Sequence, residues 1–174
     1  MKSVLISIKP KWCELIANGK KTIEVRKTKP KCDTPFRCYI YQTVGGRTNT
    51  VDIIENNLGK IIGEFVCRNM TCIQADIDFQ GEKHLYNTAF IETQMCLTDG
   101  ELFNYIYDGK RNIGWAWGIY DLVIYDKPKE LEDFASGSSV LTFSKTKDGF
   151  PWRWSGMTRP PQSWCYVEEI KNDD

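Results

Sequence analysis

Three charged side chains lie close together near the N-terminus: Lys21, Glu24 and Arg26, in the stretch GKKTIEVRK. Arg offers a planar fork to a phosphate or a base edge, and Lys offers a movable point charge. Glu can accept a hydrogen bond from an exocyclic amine, or it can form an ion pair with the Arg. If this stretch is a strand, alternation places Glu24 and Arg26 on one face and Ile23 and Val25 on the other. One face therefore belongs to a core, and the other carries fixed polar groups.

The residue types leave two interpretations of this charged face open. Charges on strands usually face water or pair with one another. Alternatively, the three charges line a site for an anionic ligand that forms hydrogen bonds. Other cations in this region are candidates for phosphate contacts, namely Lys9, Lys11, Lys20, Lys27, Lys29 and Lys31.

Aromatic side chains are the second ingredient of nucleic-acid sites, because bases stack on them. Trp115 and Trp117 share one face of a predicted strand, where packing in a core is the default role of Trp. Two prolines stiffen the loop at residues 158–164, TRPPQSW, which is either a rigid connector or part of a binding surface. The candidate contacts in this loop are Arg159, Gln162, Ser163 and Trp164.

The sequence does not predict a metal centre. It holds one histidine, His84, and seven cysteines that form no C-x-x-C pair, so the usual zinc patterns are missing. We expect no metal and no cofactor. A Cys nucleophile paired with His84 has little support, and no Gly-rich segment meets the spacing of a phosphate-binding loop.

Length and composition are typical of a globular protein with one domain, residues 1–174. No apolar run is long enough to cross a bilayer, and Lys9 and Lys11 interrupt the N-terminal apolar stretch too soon for a signal peptide. We therefore expect no membrane contact and a cytoplasmic location. In that compartment the cysteines are expected to be reduced and mostly buried. The sequence does not determine the oligomeric state, and a monomer is favoured.

The charge is distributed unevenly although the whole chain is neutral. Residues 1–47 carry eleven Lys and Arg against Glu14, Glu24 and Asp33, which gives this section a net charge of +8 and the remainder −8. Clustered cations dominate affinity for nucleic acids, because phosphates release counterions when they are neutralised. Pairing between the two sections of the molecule is the other interpretation.

Hydrophobic periodicity predicts six or so strands and two short helices. Strands are predicted at residues 2–8, 21–26, 37–42, 60–67 with an extension toward 73, 113–125 as one or two buried strands ended by Pro128, and 163–169. Helices are predicted at 10–18 and after Thr98, where TDGE forms a capping box with Glu101. Segments 48–57 and 77–93 have no clear pattern, and 145–161 is predicted as an irregular loop. The pattern indicates a small β-barrel with helices at its ends, an α+β fold that is mainly β.

Four segments in order resemble the ASCH domain family, particularly its short bacterial and phage-type members. The family signature is met by Gly19, Lys21, Glu24 and Arg26, and GKIIGEFVC, GWAWGIYDLVIYDKPKEL and TRPPQSWCYVEE also resemble members. The resemblance covers most of the chain except roughly residues 44–57, 70–95 and 136–157. It implies a PUA-like pseudo-β-barrel whose cleft binds RNA or a nucleotide-like ligand.

The favoured function is therefore an RNA- or modified-nucleoside-binding domain. The predicted ligand contacts are Lys9, Lys20, Lys21, Glu24, Arg26, Lys27, Trp117, Arg159, Gln162, Ser163 and Trp164. A protein-interaction module whose basic section docks an acidic partner is a further alternative.

A hydrolase acting on RNA or nucleosides is the main rival. In the family's acetylcytidine amidohydrolases, a Lys is followed three residues later by a Thr nucleophile. Here Lys21 is followed by Glu24, and a carboxylate cannot replace that hydroxyl. We therefore assign no catalytic residue, and a general acid or base role for Glu24 with Lys21 stays open. Glu101, the nearest candidate for the catalytic acid, is better explained as a helix cap.

Overall fold

The computed structural model describes residues 3–45, 57–89, 91–136, 141–143, 152–154 and 156–169, and strands dominate there. The strands are β1 Ser3–Ile8, β2 Ile23–Arg26, β3 Phe36–Gln42, β4 Ile61–Cys67, β5 Met70–Ile77, β6 Lys83–Tyr86, β7 Ile113–Gly118, β8 Tyr120–Lys129, β9 Phe134–Ser136, β10 Leu141–Phe143, β11 Trp152–Trp154 and β12 Trp164–Glu169. The helices are α1 Pro10–Ala17, α2 Glu92–Met95 and α3 Asp99–Ile106, with a 3₁₀ turn at Leu131–Asp133.

The described strands form three sheets. A six-stranded sheet has the order β8-β4-β3-β1-β12-β9, a four-stranded sheet has the order β2-β7-β5-β6, and β10 pairs with β11. β1 and β3 run parallel with Leu5 opposite Tyr39, whereas β2 and β7 are antiparallel. Parallel neighbours need a crossover connection, and here it contains α1 and β2.

The chain divides into two compact units. The first unit comprises Met1–Glu14, Arg37–Phe65 and Val123–Asp174, and the second comprises Leu15–Phe36 and Val66–Leu122. The core of the first unit contains Leu5, Tyr39, Tyr41, Ile61, Leu131, Phe134, Met157 and Val167. The core of the second unit contains Ile23, Val25, Ile73, Ala75, Met95, Leu102, Phe103, Ile106 and Ala116.

In the first unit, aromatic packing and one close strand contact define the sheet. The rings of Tyr39 and Phe134 meet edge to face with centroids 4.7 Å apart. At Gly63 a Cβ atom would lie 2.3 Å from the Val123 carbonyl oxygen, so only glycine allows β8 to approach β4 this closely.

In the second unit, the predicted capping box at the start of α3 is confirmed. The Thr98 hydroxyl accepts from the Glu101 backbone N–H at 3.2 Å, and the Glu101 carboxylate accepts from the Thr98 N–H at 2.9 Å. α3 then places Ile106 against β7 at Gly114, where a Cβ atom would lie 2.8 Å from the Ile106 side chain. Glu101 is therefore the helix cap.

Two predicted strand boundaries and one prediction of burial are wrong. The strand at 60–67 does not extend toward 73, because β4 ends at Cys67 and β5 starts at Met70 and pairs in the other sheet. β8 continues past Pro128, which an edge strand tolerates since no neighbour needs the missing N–H. β8 is also largely exposed rather than buried, with Val123 50% exposed.

Two segments for which the sequence predicted no regular element contain strands or a helix in the structure. Segment 77–93 contains β6 and the start of α2, and β11 lies within the segment predicted as a loop at 145–161. Residue 2, most of segment 48–57, and residues 144–151 and 155 lie outside the described residues. None of the described helices is long and apolar enough to cross a membrane.

All seven cysteines are free thiols. The prediction that they are mostly buried is wrong, because only Cys13, Cys38 and Cys67 are buried. Burial raises the pKa of Cys67 to about 12 and that of the partly buried Cys165 to about 11. These two thiols are therefore poor nucleophiles near neutral pH.

The α3 cap gives a stability prediction. Thr98→Ala should lower the free energy of unfolding by about 1 kcal/mol, because it removes the acceptor for an otherwise unpaired helical N–H. Gly100→Ala, in the same first turn, should raise it by about 0.5 kcal/mol, since the added methyl group meets open space. Urea titrations of both variants measure these values, and effects of equal sign would contradict the assignment of the cap.

Candidate charged ligand site

The charged residues of the opening motif are buried. Lys21 is 3% exposed, Glu24 3% and Arg26 8%, and all four residues of β2 are buried. The interpretation of a half-exposed strand with solvated charges is therefore wrong. We refer to Lys21, Glu24 and Arg26 as the charged cluster.

Glu24 connects the two cations of the charged cluster. Lys21 Nζ lies 3.5 Å from Glu24 Oε2, and Arg26 Nη1 donates to Glu24 Oε1. Arg26 Nη1 also donates to the Val25 carbonyl oxygen at 3.0 Å, and Lys21 Nζ donates to the Met95 carbonyl oxygen at 2.6 Å. The charged cluster holds two cations and one carboxylate, so its formal charge is +1.

Local backbone structure explains how Lys21 reaches Glu24. Gly19 lies in the turn that follows α1 and has a φ of 69°. The Lys21 N–H donates to the Leu15 carbonyl oxygen. Simple alternation would direct Lys21 away from Glu24, but this turn reorients it. The adjacent Thr22 N–H donates to the Gln94 carbonyl oxygen, which fixes the segment around α2 beside the charged cluster.

The carboxylate of Glu24 is incompletely satisfied. Within the part of the chain that the structure describes, the buried Oε2 atom accepts no hydrogen bond, although the Lys21 ammonium lies nearby. A buried acceptor without a donor carries a desolvation penalty, so such an atom calls for an explanation. An incoming N–H or O–H group would satisfy it.

Tyr105 on α3 extends the charged cluster and was not predicted. Its hydroxyl forms hydrogen bonds with the Arg26 side chain and the Lys27 backbone. Burial raises the pKa of Tyr105, and the nearby Arg26 cation partly offsets this rise. The ring is still 38% exposed. The sequence identified the helix, but it gave no signal that this position faces Arg26.

Two tryptophans lie directly opposite the charged cluster in the four-stranded sheet. Glu24 pairs with Trp117 and Arg26 with Trp115, and opposite residues in antiparallel strands share a face. Trp117, a predicted ligand contact, is fully buried and packs edge-on against Phe36, with ring centroids 5.6 Å apart. Trp115 is half-buried, so part of its side chain is accessible to solvent.

The other predicted contacts are divided between the two units. In the second unit, Lys20 is exposed and Lys27 Nζ lies 3.4 Å from the Asp108 carboxylate. The first unit contains Lys9, Arg159, Gln162, Ser163 and Trp164. The structure thus brings Lys21, Glu24, Arg26 and Trp117 together within one unit, and the contribution of the first-unit residues stays a prediction.

The loop residues of the first unit are anchored to β1. The Ser7 hydroxyl donates to the Pro161 carbonyl oxygen at 2.6 Å, and the Ser7 N–H donates to the Ser163 carbonyl oxygen at 2.9 Å. Gln162 and Arg159 are exposed. The proline-containing loop is therefore fixed in place with its polar side chains open to solvent.

The neighbourhood of the charged cluster offers little support for covalent or metal chemistry. The Thr22 hydroxyl donates to Gln94 Oε1 at 3.1 Å. His84 Nε2 lies 3.0 Å from Asp78 Oδ2 in the β5–β6 hairpin. Among the described residues, no group of three or more His, Cys, Asp or Glu side chains is arranged to hold a metal ion.

Comparisons with known proteins agree with this fold. The ASCH domain family model matches residues 6–88. The chain is similar to the crystal structure of ASCH from Zymomonas mobilis, with a TM-score of 0.56 and 18% identity over 96% of this chain and 88% of that chain. A tyrosine-to-phenylalanine mutant of ZmASCH gives a TM-score of 0.57 and 18% identity over 97% of this chain and 91% of that chain. No curated protein matches the sequence. The predicted family resemblance and the mainly β, PUA-like fold are confirmed.

Burial of the charged cluster leads to a second stability prediction. Glu24→Gln should lower the free energy of unfolding by about 3–5 kcal/mol, because it leaves two buried cations without their counter-ion. The control is Lys60→Gln, which removes a pair between Lys60 and Glu130 in which both side chains are more than one-third exposed. That change should have little effect. Chemical denaturation of both variants measures the difference, and equal losses would contradict a buried network.

Proposed function

We propose that the chain, which matches the ASCH domain family model over residues 6–88, binds RNA or a modified nucleoside through the charged cluster. The observation that carries this proposal is the buried Glu24 Oε2 atom, which accepts no hydrogen bond from the described residues. Natural proteins rarely leave a buried acceptor unsatisfied except where function requires it.

The chemistry of the charged cluster favours a base edge that combines a donor with an acceptor. An exocyclic amine can donate to Glu24 Oε2. The Lys21 and Arg26 cations beside it suit a carbonyl or phosphate oxygen, which bears partial or full negative charge. A site built from buried polar groups also discriminates strongly, because an analogue without the amine leaves the carboxylate unsatisfied.

Ligand entry requires a local opening, because every member of the charged cluster is at most 8% exposed. The segment around α2 is the element whose backbone contacts hold this region, through the Met95 and Gln94 carbonyl oxygens. A ligand oxygen that accepts from Lys21 can replace the Met95 carbonyl. Opening at this segment therefore exchanges one hydrogen bond for another.

Cytidine and uridine test the role of Glu24, since they differ at the position of one exocyclic amine. We expect cytidine to bind at least about tenfold more tightly, a difference of about 1.4 kcal/mol, because the uridine carbonyl would face the carboxylate. Isothermal titration calorimetry measures both dissociation constants.

Arg26→Lys should weaken cytidine binding because it keeps the charge and removes the planar fork. Arg68→Lys is the matched control, since Arg68 lies in the second unit but pairs with the exposed Asp121 carboxylate. Equal affinity for the two nucleosides, or equal effects of both Arg variants, would show that the charged cluster is not part of the binding site.

The net charge of +8 in residues 1–47 predicts salt-dependent RNA binding. The logarithm of the association constant for a single-stranded oligonucleotide should fall by about 0.7 per decade of salt for each phosphate neutralised. Fluorescence anisotropy over a salt series measures this slope. Salt-independent association, or none at millimolar protein, would overturn RNA as the ligand.

The amidohydrolase alternative is tested by acetate release from acetylcytidine. We expect no release above background, because Glu24 occupies the nucleophile position and the Thr22 hydroxyl is engaged with Gln94. Robust turnover by the wild type would contradict this expectation. Its loss in a Glu24→Gln variant that is still folded at the assay temperature would make Glu24 a general acid or base.

A further inference from the structure

A pair formed by an indole and a cation lies next to the charged cluster on the same sheet face. Trp115 on β7 is opposite Arg26 on β2, and Lys29 Nζ lies 4.0 Å from the centroid of the Trp115 ring system. Trp115 is half-buried and Lys29 is exposed. The side chain of an exposed lysine therefore lies over one face of this indole.

The contacts of Lys29 distinguish it from its neighbour Lys27. Lys27 Nζ lies 3.4 Å from the Asp108 carboxylate, which neutralises it. Lys29 has no carboxylate partner among the residues that the structure describes, and its recorded contact is the indole ring. Its charge is therefore available to a phosphate.

The surrounding charge suits an anionic polymer. In residues 20–35 the exposed charges are the cations Lys20, Lys29 and Lys31 and one carboxylate, Asp33, whereas Glu24 is buried. Opposite residues in antiparallel strands are about 5 Å apart at Cβ. Trp115 therefore lies directly beside Arg26 of the charged cluster.

We propose that Trp115 and Lys29 form a second nucleotide subsite. A base stacks on the exposed face of Trp115 in place of the Lys29 ammonium, and Lys29 pairs with the phosphate that links this base to the nucleotide at the charged cluster. Aromatic stacking with a nearby cation is the usual way in which proteins hold single-stranded RNA. The partner is accordingly single-stranded RNA of at least two nucleotides, and this inference rests on the proposed function of the charged cluster.

The test compares cytidine with the dinucleotide CpC and a cytidine hexanucleotide, using the full chain and calorimetry. The wild type should bind CpC at least about tenfold more tightly than cytidine. Trp115→Leu should abolish this gain while leaving cytidine affinity within about twofold, and Trp115→Phe should retain most of it because an aromatic face remains. Lys29→Gln should reduce the gain and lower the salt slope by about one phosphate contact.

The chain provides a matched control pair in Trp12 and Lys11. Lys11 Nζ lies 4.4 Å from the Trp12 ring centroid, and Trp12 is half-buried as Trp115 is. Trp12→Leu should leave the gain for CpC unchanged, and Lys11→Gln should lower the gain far less than Lys29→Gln does. These variants control for the general loss of an indole or a surface cation.

The possible outcomes separate this inference from the proposed function. Ordinary cytidine binding without any gain for CpC, or a gain that persists in Trp115→Leu, would overturn the second subsite alone. Absence of cytidine and RNA binding in the wild type would overturn both. In a different outcome, a hexaglutamate peptide binds to the wild type and to Trp115→Leu but not to Lys29→Gln. That result would identify an acidic protein as the partner and would overturn the second nucleotide subsite.

Discussion

The ion pairs that Glu24 makes with Lys21 and Arg26 impose the main constraint on the second unit. Removing a charge from water costs several kcal/mol, so buried charges persist only with partners in good geometry. The turn at Gly19 brings the Lys21 ammonium to Glu24, and the segment around α2 supplies the Met95 carbonyl oxygen. The turn at Gly19 and the segment around α2 are far apart in the sequence, and both contribute to the buried ion pairs of Glu24.

The same constraint gives the charged cluster its chemical character. A fully satisfied ion-pair network is inert, whereas this one leaves Glu24 Oε2 as an acceptor within the described residues. A carboxylate accepts hydrogen bonds but cannot serve as a hydroxyl nucleophile for acyl transfer, so this position has acceptor chemistry in place of nucleophilic chemistry. Recognition of a donor group follows more directly from this arrangement than bond cleavage.

Local signals in the sequence predicted the elements that depend on neighbouring residues. The helix starting at Pro10 and the capping box at Thr98 are of this kind, and both form as predicted. Burial of Glu24 and the contact of Tyr105 with Arg26 depend on packing between distant segments, so alternation within one strand could not reveal them. The continuation of β8 through Pro128 likewise depends on its edge position in the sheet.

Strand register links the two parts of the proposed RNA site. Side chains alternate with a period of two, so a slip of one residue between β2 and β7 would place Trp115 and Arg26 on opposite faces. The observed register puts Trp115 opposite Arg26 and Trp117 opposite Glu24. Trp117 is fully buried opposite Glu24, while Trp115 is half-buried opposite Arg26. The packing that buries the charged cluster is therefore the packing that aligns a stacking surface with it.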